Sequence, residues 1–455
     1  MYDSLTSATI GQRIFPLICM ALMLFACDRP FVPPAEPIIE VIAPGDPARL
    51  LFSPEVEFRV RASSFRDIGR VEVEGTVLEF DESAGNWFGM VSLTPGLNEL
   101  EVTAFDIEDF SGTRTLTLAY LQPSFDSDAP QLPSPWSLGG HTATLLNDGS
   151  LLVTGGSPNS FQNAVSNAFL LPEGSENFLA LGNNMRNPRY GHTASMLPDG
   201  RVLILGGSST ASPSMVGQMI ENAEIYDPAS QTFTTVGFDS NPLRRTEHVT
   251  FITQGPTALI VDVYGGLGQD PVQGGDRLFS RPEIATYQLR GNTLFPSSNF
   301  SDSQILPAYG ISSTLLSDSN PGDLGRFMVS GATFLESGSA NINFSINFDE
   351  TPIRVVILEE MLTPRIQHAS VSLEPGLVAV FGGFQGFRTN ATSSTEIFVE
   401  LNNRFSSIDS RVSTVRRFSH TATKLPSNRI LILGGFDETG DAITESEYFS
   451  WGLQQ

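Results

Sequence analysis

Arg189-Tyr190-Gly191-His192, then the apolar run Val202-Leu203-Ile204-Leu205 and the pair Gly206-Gly207, is the stretch that decides the fold. The same phrase recurs as Arg365-Ile366-Gln367-His368 with Gly382-Gly383, and as Arg417-Phe418-Ser419-His420 with Gly434-Gly435. His141 with Gly155-Gly156 keeps the second half, although Leu138 stands where the arginine belongs. In these four the step from histidine to first glycine is constant, 192 to 206 and 141 to 155 alike. Arg245-Thr246-Glu247-His248 reaches Gly265-Gly266 after a longer interval. A degenerate copy, Tyr309-Gly310-Ile311, reaches Ser330-Gly331 with its histidine replaced by Ile311. Every histidine of the chain fills this slot. Self-similarity at roughly 50 residues marks a repeat architecture, and a propeller suits it better than a helical solenoid.

Each unit reads as four short strands. Continuous apolar runs such as Val202 to Leu205 and Ile430-Leu431-Ile432-Leu433 fit strands covered on both faces. Pro198-Asp199-Gly200 and Asn147-Asp148-Gly149 supply the preceding turn, where glycine takes the positive φ. The glycine pair removes Cβ atoms where a neighbouring backbone must come close. A third strand over 223–228 and a fourth over 232–236 complete a propeller blade.

The pattern resembles the kelch repeat, which carries a diglycine after an apolar strand and a later Glu-x-aromatic strand. Glu224-Ile225-Tyr226, Glu396-Ile397-Phe398 and Glu447-Tyr448-Phe449 match that later element. The resemblance, to propellers of the galactose-oxidase central-domain type, covers about Trp136 to Gln455. It implies an all-β protein with six blades, marked by positions 141, 192, 248, 311, 368 and 420. The chain ends too soon after Glu447 for a fourth strand, so residues 131–136 are expected to complete the last blade and close the ring.

The front of the chain has a different texture. Ile14 to Ala26 is apolar behind Arg13, too short to span a bilayer, and reads as a secretory signal over 1–26. Leu24-Phe25-Ala26-Cys27 resembles the lipobox of bacterial lipoproteins, which implies acylation of Cys27 and export to the cell envelope, at the outer membrane or the periplasmic face of the inner membrane. Asp28 resembles an inner-membrane retention signal. Several acyl chains anchor stably where one is marginal. The only other cysteine, Cys19, lies in the signal, so the mature chain must rely on core burial rather than a disulfide. Residues 27–37 form a proline-rich tether. Alternating runs such as Val56-Glu57-Phe58-Arg59-Val60-Arg61 and Leu100-Glu101-Val102-Thr103-Ala104-Phe105-Asp106 indicate short strands over 38–122. They resemble a bacterial immunoglobulin-like sandwich serving as a spacer. A linker over 123–135 is expected to follow.

The formal charge is −24, with one lysine, Lys424, against 25 arginines. Nucleic acid, whose affinity comes from clustered cations, is excluded as a partner. The histidines 141, 192, 248, 368 and 420, with the glycines 155, 156, 206, 207, 265, 266, 331, 382, 383, 434 and 435, are read as structural positions of the repeat, since a ring holds them too far apart for one metal. Arg189, Arg245, Arg365 and Arg417 also recur with the repeat, yet arginines at a propeller mouth would form an anion site, and they stand as candidate ligand contacts. Glu247 and Gln367 are candidates too, because Gly140, Gly191, Glu247, Gly310, Gln367 and Ser419 precede the histidine slot that faces the mouth in ligand-binding kelch propellers. Three glycines there argue for an open funnel.

Copper-radical chemistry of the galactose-oxidase type needs a cysteine that the mature chain lacks. No catalytic triad, phosphate loop or metal spacing is present in the sequence, and Asp437 to Asp441 reads as a solvated turn rather than a calcium loop. No catalytic residue, metal or cofactor is therefore assigned. Variable loops after the diglycines, over 208–222, 267–281 and 384–392, are where recognition is expected. The expected function is a lipid-anchored, exported binding protein whose propeller loops recognise a protein or glycan. The alternatives are a sugar-acting enzyme of the sialic-acid epimerase type, which also carries six kelch blades, and a purely structural envelope component.

Overall fold

The computed structural model describes residues 36–45, 50–211, 219–269, 278–280, 283–300, 309–317, 325–335, 338–348, 353–385, 390–408, 413 and 415–452. The signal, Cys27 and all of the tether but residues 36 and 37 lie outside them, as do parts of the three variable loops. The described chain is nearly all β; its helical content is the 3-10 turn Glu400–Asn402. It divides into two compact units, one of 1–43, 57–89 and 101–115, the other of 44–56, 90–100 and 116–455.

The strands of the front region make two four-stranded sheets. One orders Ile38–Ala43, Glu55–Ser63, Asn86–Ser92 and Glu79–Asp81; the other orders Thr76–Val77, Ile68–Val73, Gly96–Asp106 and Ser111–Tyr120. Alternation dictates which side chains go in. Phe58 and Val60 are buried between exposed Glu57 and Arg61, while Val71, Val73, Val102 and Ala104 are fully buried, as a period of two requires.

The second unit is built from successive antiparallel sheets. They comprise Thr142–Leu145 to Leu179–Ala180, then Thr193–Met196 to Thr232–Phe238, then Arg245–Gln254 to Thr293–Phe300. Ser312–Ser317 to Arg354–Ile357, Ala369–Glu374 to Arg404–Ser407, and Thr421–Lys424 to Glu447–Ser450 follow. The apolar runs explain how neighbours hold together. Val202 and Ile204 face back to Leu152 of the preceding sheet; Leu203 and Leu205 face forward to Val261 and Val263. Both faces are covered, so the run has no polar position. Equivalent clusters join Phe251 and Tyr264 to Val329 and Phe344, Met328 to Val378 and Val380, and Phe381 and Ile397 to Ile432 and Phe449. The last cluster returns to the start, packing Leu431 and Leu433 against Leu151 and Val153. The sheets therefore encircle one axis as a β-propeller.

Two details depart from expectation. The strand that completes the final sheet is Ser124–Asp126, antiparallel to Glu447–Ser450 with Phe125 opposite Phe449, not residues 131–136. Pro133 and Pro135 deprive that later segment of ladder donors, and it contributes buried Leu132 to the closing cluster instead, beside Ala129 just ahead of it. Residues 123–135, expected as a linker, thus supply both a strand and core. In addition, two sheets are joined by a short parallel pairing of Gly237 and Phe238 with Thr293 and Leu294.

Candidate functional site

The six residues before the histidine slot form a closed belt. Gly140 N–H donates to the Ser419 carbonyl, Ser419 to Gln367, Gln367 to Gly310, Gly310 to Glu247, Glu247 to Gly191 and Gly191 to Gly140, at 2.5–3.1 Å. Each has φ between 52° and 65°, the left-handed region that favours glycine. The glycines here serve this backbone geometry, not the openness of a funnel. At Gly140 a Cβ would also fall 2.1 Å from the Tyr190 ring.

Three belt positions carry side chains, and these converge. Gln367 Nε2 donates to Glu247 Oε1 at 2.6 Å and to the Tyr190 hydroxyl at 3.3 Å. The Tyr190 hydroxyl donates to Glu247 Oε1 at 3.2 Å, with Ser419 Oγ 3.3 Å away. Beside this polar knot lies a hollow of about 80 Å³ whose lining includes Phe161, Tyr190, Gln367, Phe384, Phe418 and Glu438. Phe161 is 62% exposed, and the Phe384 and Phe418 rings meet with centroids 3.8 Å apart, tilted by 36°. Aromatic walls beside a carboxylate, an amide and hydroxyls suit a ligand with apolar faces and many hydroxyl or amide groups.

The arginines are elsewhere. Arg189, Arg365 and Arg417 are buried, and each donates Nη1 to the carbonyl of its repeat's first glycine, Gly206, Gly382 and Gly434, at 2.7–3.0 Å. Each pairs with the glutamate of the Glu-x-aromatic strand: Arg189 with Glu224 at 3.0 Å, Arg417 with Glu447 at 3.0 Å, and Arg365 with Glu396. Burial pushes the Arg189 and Arg417 guanidiniums down from their usual range while the facing carboxylates oppose it. Arg245 pairs with Glu283 at 2.7 Å. As candidate ligand contacts the arginines thus lie inward, in internal ion pairs, because a buried cation needs a carboxylate more than a view of the axis.

The histidines brace neighbouring sheets. His141 Nε2 meets Thr421 Oγ1 at 3.1 Å, His192 meets Thr142 and Thr154 at 3.1 Å, and His368 meets Ser330 at 2.9 Å. Burial holds all five neutral, with His141 lowered to about 4 and His248 and His368 to about 3. The diglycines exist for these rings. A Cβ on Gly206 would lie 2.5 Å from His248 Cε1 of the next sheet, and one on Gly207 would lie 2.9 Å from Cβ of its own His192. The pairs at 155, 382 and 434 meet their neighbours' histidines alike. Gly265 and Gly266 keep the positive φ, while Gly331 abuts Ile311.

Tyr190, Phe161, Phe384 and Phe418 were not singled out by sequence reasoning. Two of them had a signal: Tyr190 and Phe418 each follow a repeat arginine, and that slot bridges to the residue after a diglycine, as in Tyr190 with Ser208 and Phe418 with Phe436. Asp437 to Asp441 is an internally bonded turn, its Asp437 carboxylate accepting from Thr439 and Asp441 N–H. Among the described residues no group of three His, Cys, Asp or Glu side chains is placed to hold a metal.

Sheets around an axis with a knotted polar cluster at one end define a β-propeller. No protein-family model and no curated protein matches the chain. Among solved structures it is similar to that of YjhT, with a TM-score of 0.54 and 16% identity over 70% of this chain and 96% of that one. At that identity the likeness carries the fold alone.

Proposed function

We propose that this chain is an exported lipoprotein, anchored through Cys27, in which an immunoglobulin-like sandwich carries a six-bladed kelch-type propeller that binds a protein or glycan without catalysis. The hollow beside the Glu247–Gln367–Tyr190 knot is the observation that carries the reading: hydrogen-bonding groups and exposed aromatic surface meet there, on loops held by a rigid ring. The ligand contacts are Gln367, Phe161 and Phe418, which line the hollow, with Glu247 holding Gln367 and Tyr190 from behind, rather than the arginines. A glycan-array screen with the chain from Ile38 onward tests it. A reproducible hit lost in Phe161→Ala and Phe418→Ala supports binding at this hollow; a hit unaffected by both places the ligand elsewhere and overturns it.

A sugar-acting enzyme is the second reading, favoured by the Glu247 carboxylate lying 3.2 Å from the Tyr190 hydroxyl. Turnover of sialic acid or another sugar, abolished in Glu247→Gln, would establish it in place of simple binding.

A further inference from the structure

One edge of the first unit gathers apolar side chains that face water. Ile38 is 72% exposed, Phe65 73%, Ile107 64% and Phe110 41%. They come from three separate segments, brought together by register. Ile38 pairs with Ser63, at the end of the strand that leads to Phe65. Ile68 pairs with Asp106, and Ile107 N–H donates to the Asp67 carbonyl at 3.0 Å, which sets the two connecting loops side by side. The chain also enters the unit here: a Cβ on Gly112 would fall 2.2 Å from the Pro37 carbonyl oxygen.

Both cations at this edge are paired, Arg70 also with Glu72. Arg66 pairs with Asp106 and Glu108, Arg70 pairs with Asp109, and the Arg66 guanidinium lies 5.0 Å from the Phe110 ring centroid. Apolar bodies beside short cationic pairs suit the interfacial zone of a bilayer, where one end of a group is apolar and the other wet.

We infer that this edge seats on the lipid bilayer holding the acyl chains of Cys27, with Phe65, Ile107, Phe110 and Ile38 dipping into the interface. The inference rests on the lipoprotein reading. From Cys27 to Pro37 is ten residues, which span at most about 36 Å, so the bilayer is always within reach of the edge. Tethering makes the contact intramolecular, so a few partly inserted side chains suffice without strong affinity of their own.

The test uses the full mature chain, acylated and reconstituted in phosphatidylcholine vesicles. The acylated thiol of Cys27 takes no label and the mature chain has no other cysteine, so Ser64→Cys carries a single environment-sensitive fluorophore. The expected result is a blue shift and quenching by nitroxide lipids that report shallow depth. Neither is expected for Thr76→Cys, at the opposite end of Ile68–Val73, nor for Ser64→Cys combined with Phe65→Ser, Ile107→Ser and Phe110→Ser. An acylated protein whose label at 64 is quenched no more than that at 76, or is quenched equally in the combined variant, overturns the inference. Mass analysis of the amino-terminal peptide separates this from failure of the anchor: an unmodified Cys27 would remove the premise instead.

Discussion

The first and second repeats of the propeller solve one packing problem in opposite ways. In the second, Arg189 and Glu224 are a buried ion pair. In the first, Leu138 replaces the arginine, and register puts Phe169 opposite Val153 where Glu224 lies opposite Ile204. Leu138 and Phe169 are both fully buried. Charge and counter-charge leave together, as they must when either alone would stand uncompensated in the core. The comparison teaches that the repeat arginines belong to the scaffold, and that the sequence can exchange an ionic for an apolar brace without losing the sheet.

The sharpest way to break this comparison is to remove one partner. Glu224→Ala, which strands Arg189, is expected to lower the free energy of unfolding by about 3–5 kcal/mol, read by denaturant titration. Arg189→Leu with Glu224→Phe, copying the first repeat, should recover most of that loss. A double variant no better than the single would show that the two repeats are not equivalent solutions.

Gly206→Ala should cost about 3 kcal/mol, through positive φ and collision with His248 and the Arg245 carbonyl. The corresponding slot in the degenerate repeat holds Ser330, which bonds His368, so Ser330→Gly should cost far less. Equal losses in thermal unfolding would remove the distinction between the two slots.

Acid tests the histidine braces common to both repeats. Their folded values lie below the ordinary 6.5, so below that pH the unfolded chain binds more protons than the folded one. Stability is therefore full above 6.5 and falls as pH drops toward 4, by up to about 1.4 kcal/mol per pH unit for each histidine. His141→Gln should flatten the acid limb by about a fifth, since five histidines share it; an unchanged slope would mean the braces are not what acid breaks.

The smallest effect on stability is expected at the axis. Glu247→Gln keeps the belt geometry and should change stability by less than about 0.5 kcal/mol, while weakening a ligand found by array about tenfold. A large loss of stability would assign Glu247 to the scaffold along with the arginines.

Much of the scaffold was legible in the sequence because the diglycine and the continuous apolar runs report backbone crowding and two-sided burial directly. Val202–Leu205 and Ile430–Leu433 are strands with the expected bounds. The site was far less legible. Glycine before the histidine slot signals both an open mouth and a left-handed backbone, and only coordinates separate the two at Gly140 and Gly191. Arg245 hid its partner because Glu283 lies two residues ahead of Ala285, which occupies the glutamate's register opposite Val263. The knot joins Tyr190, Glu247, Gln367 and Ser419 from different repeats, and no local pattern encodes such a meeting.

The pairing of Ser124–Asp126 with Glu447–Ser450 makes two segments more than 300 residues apart in sequence a clasp. Until they arrive, the neighbouring sheets have an open seam, with unpaired backbone and bare leucines that invite association with other chains. Closure is thus obliged to wait until Phe449 has been made, and a nick near Phe449 should do more harm than its distance from any ligand would suggest.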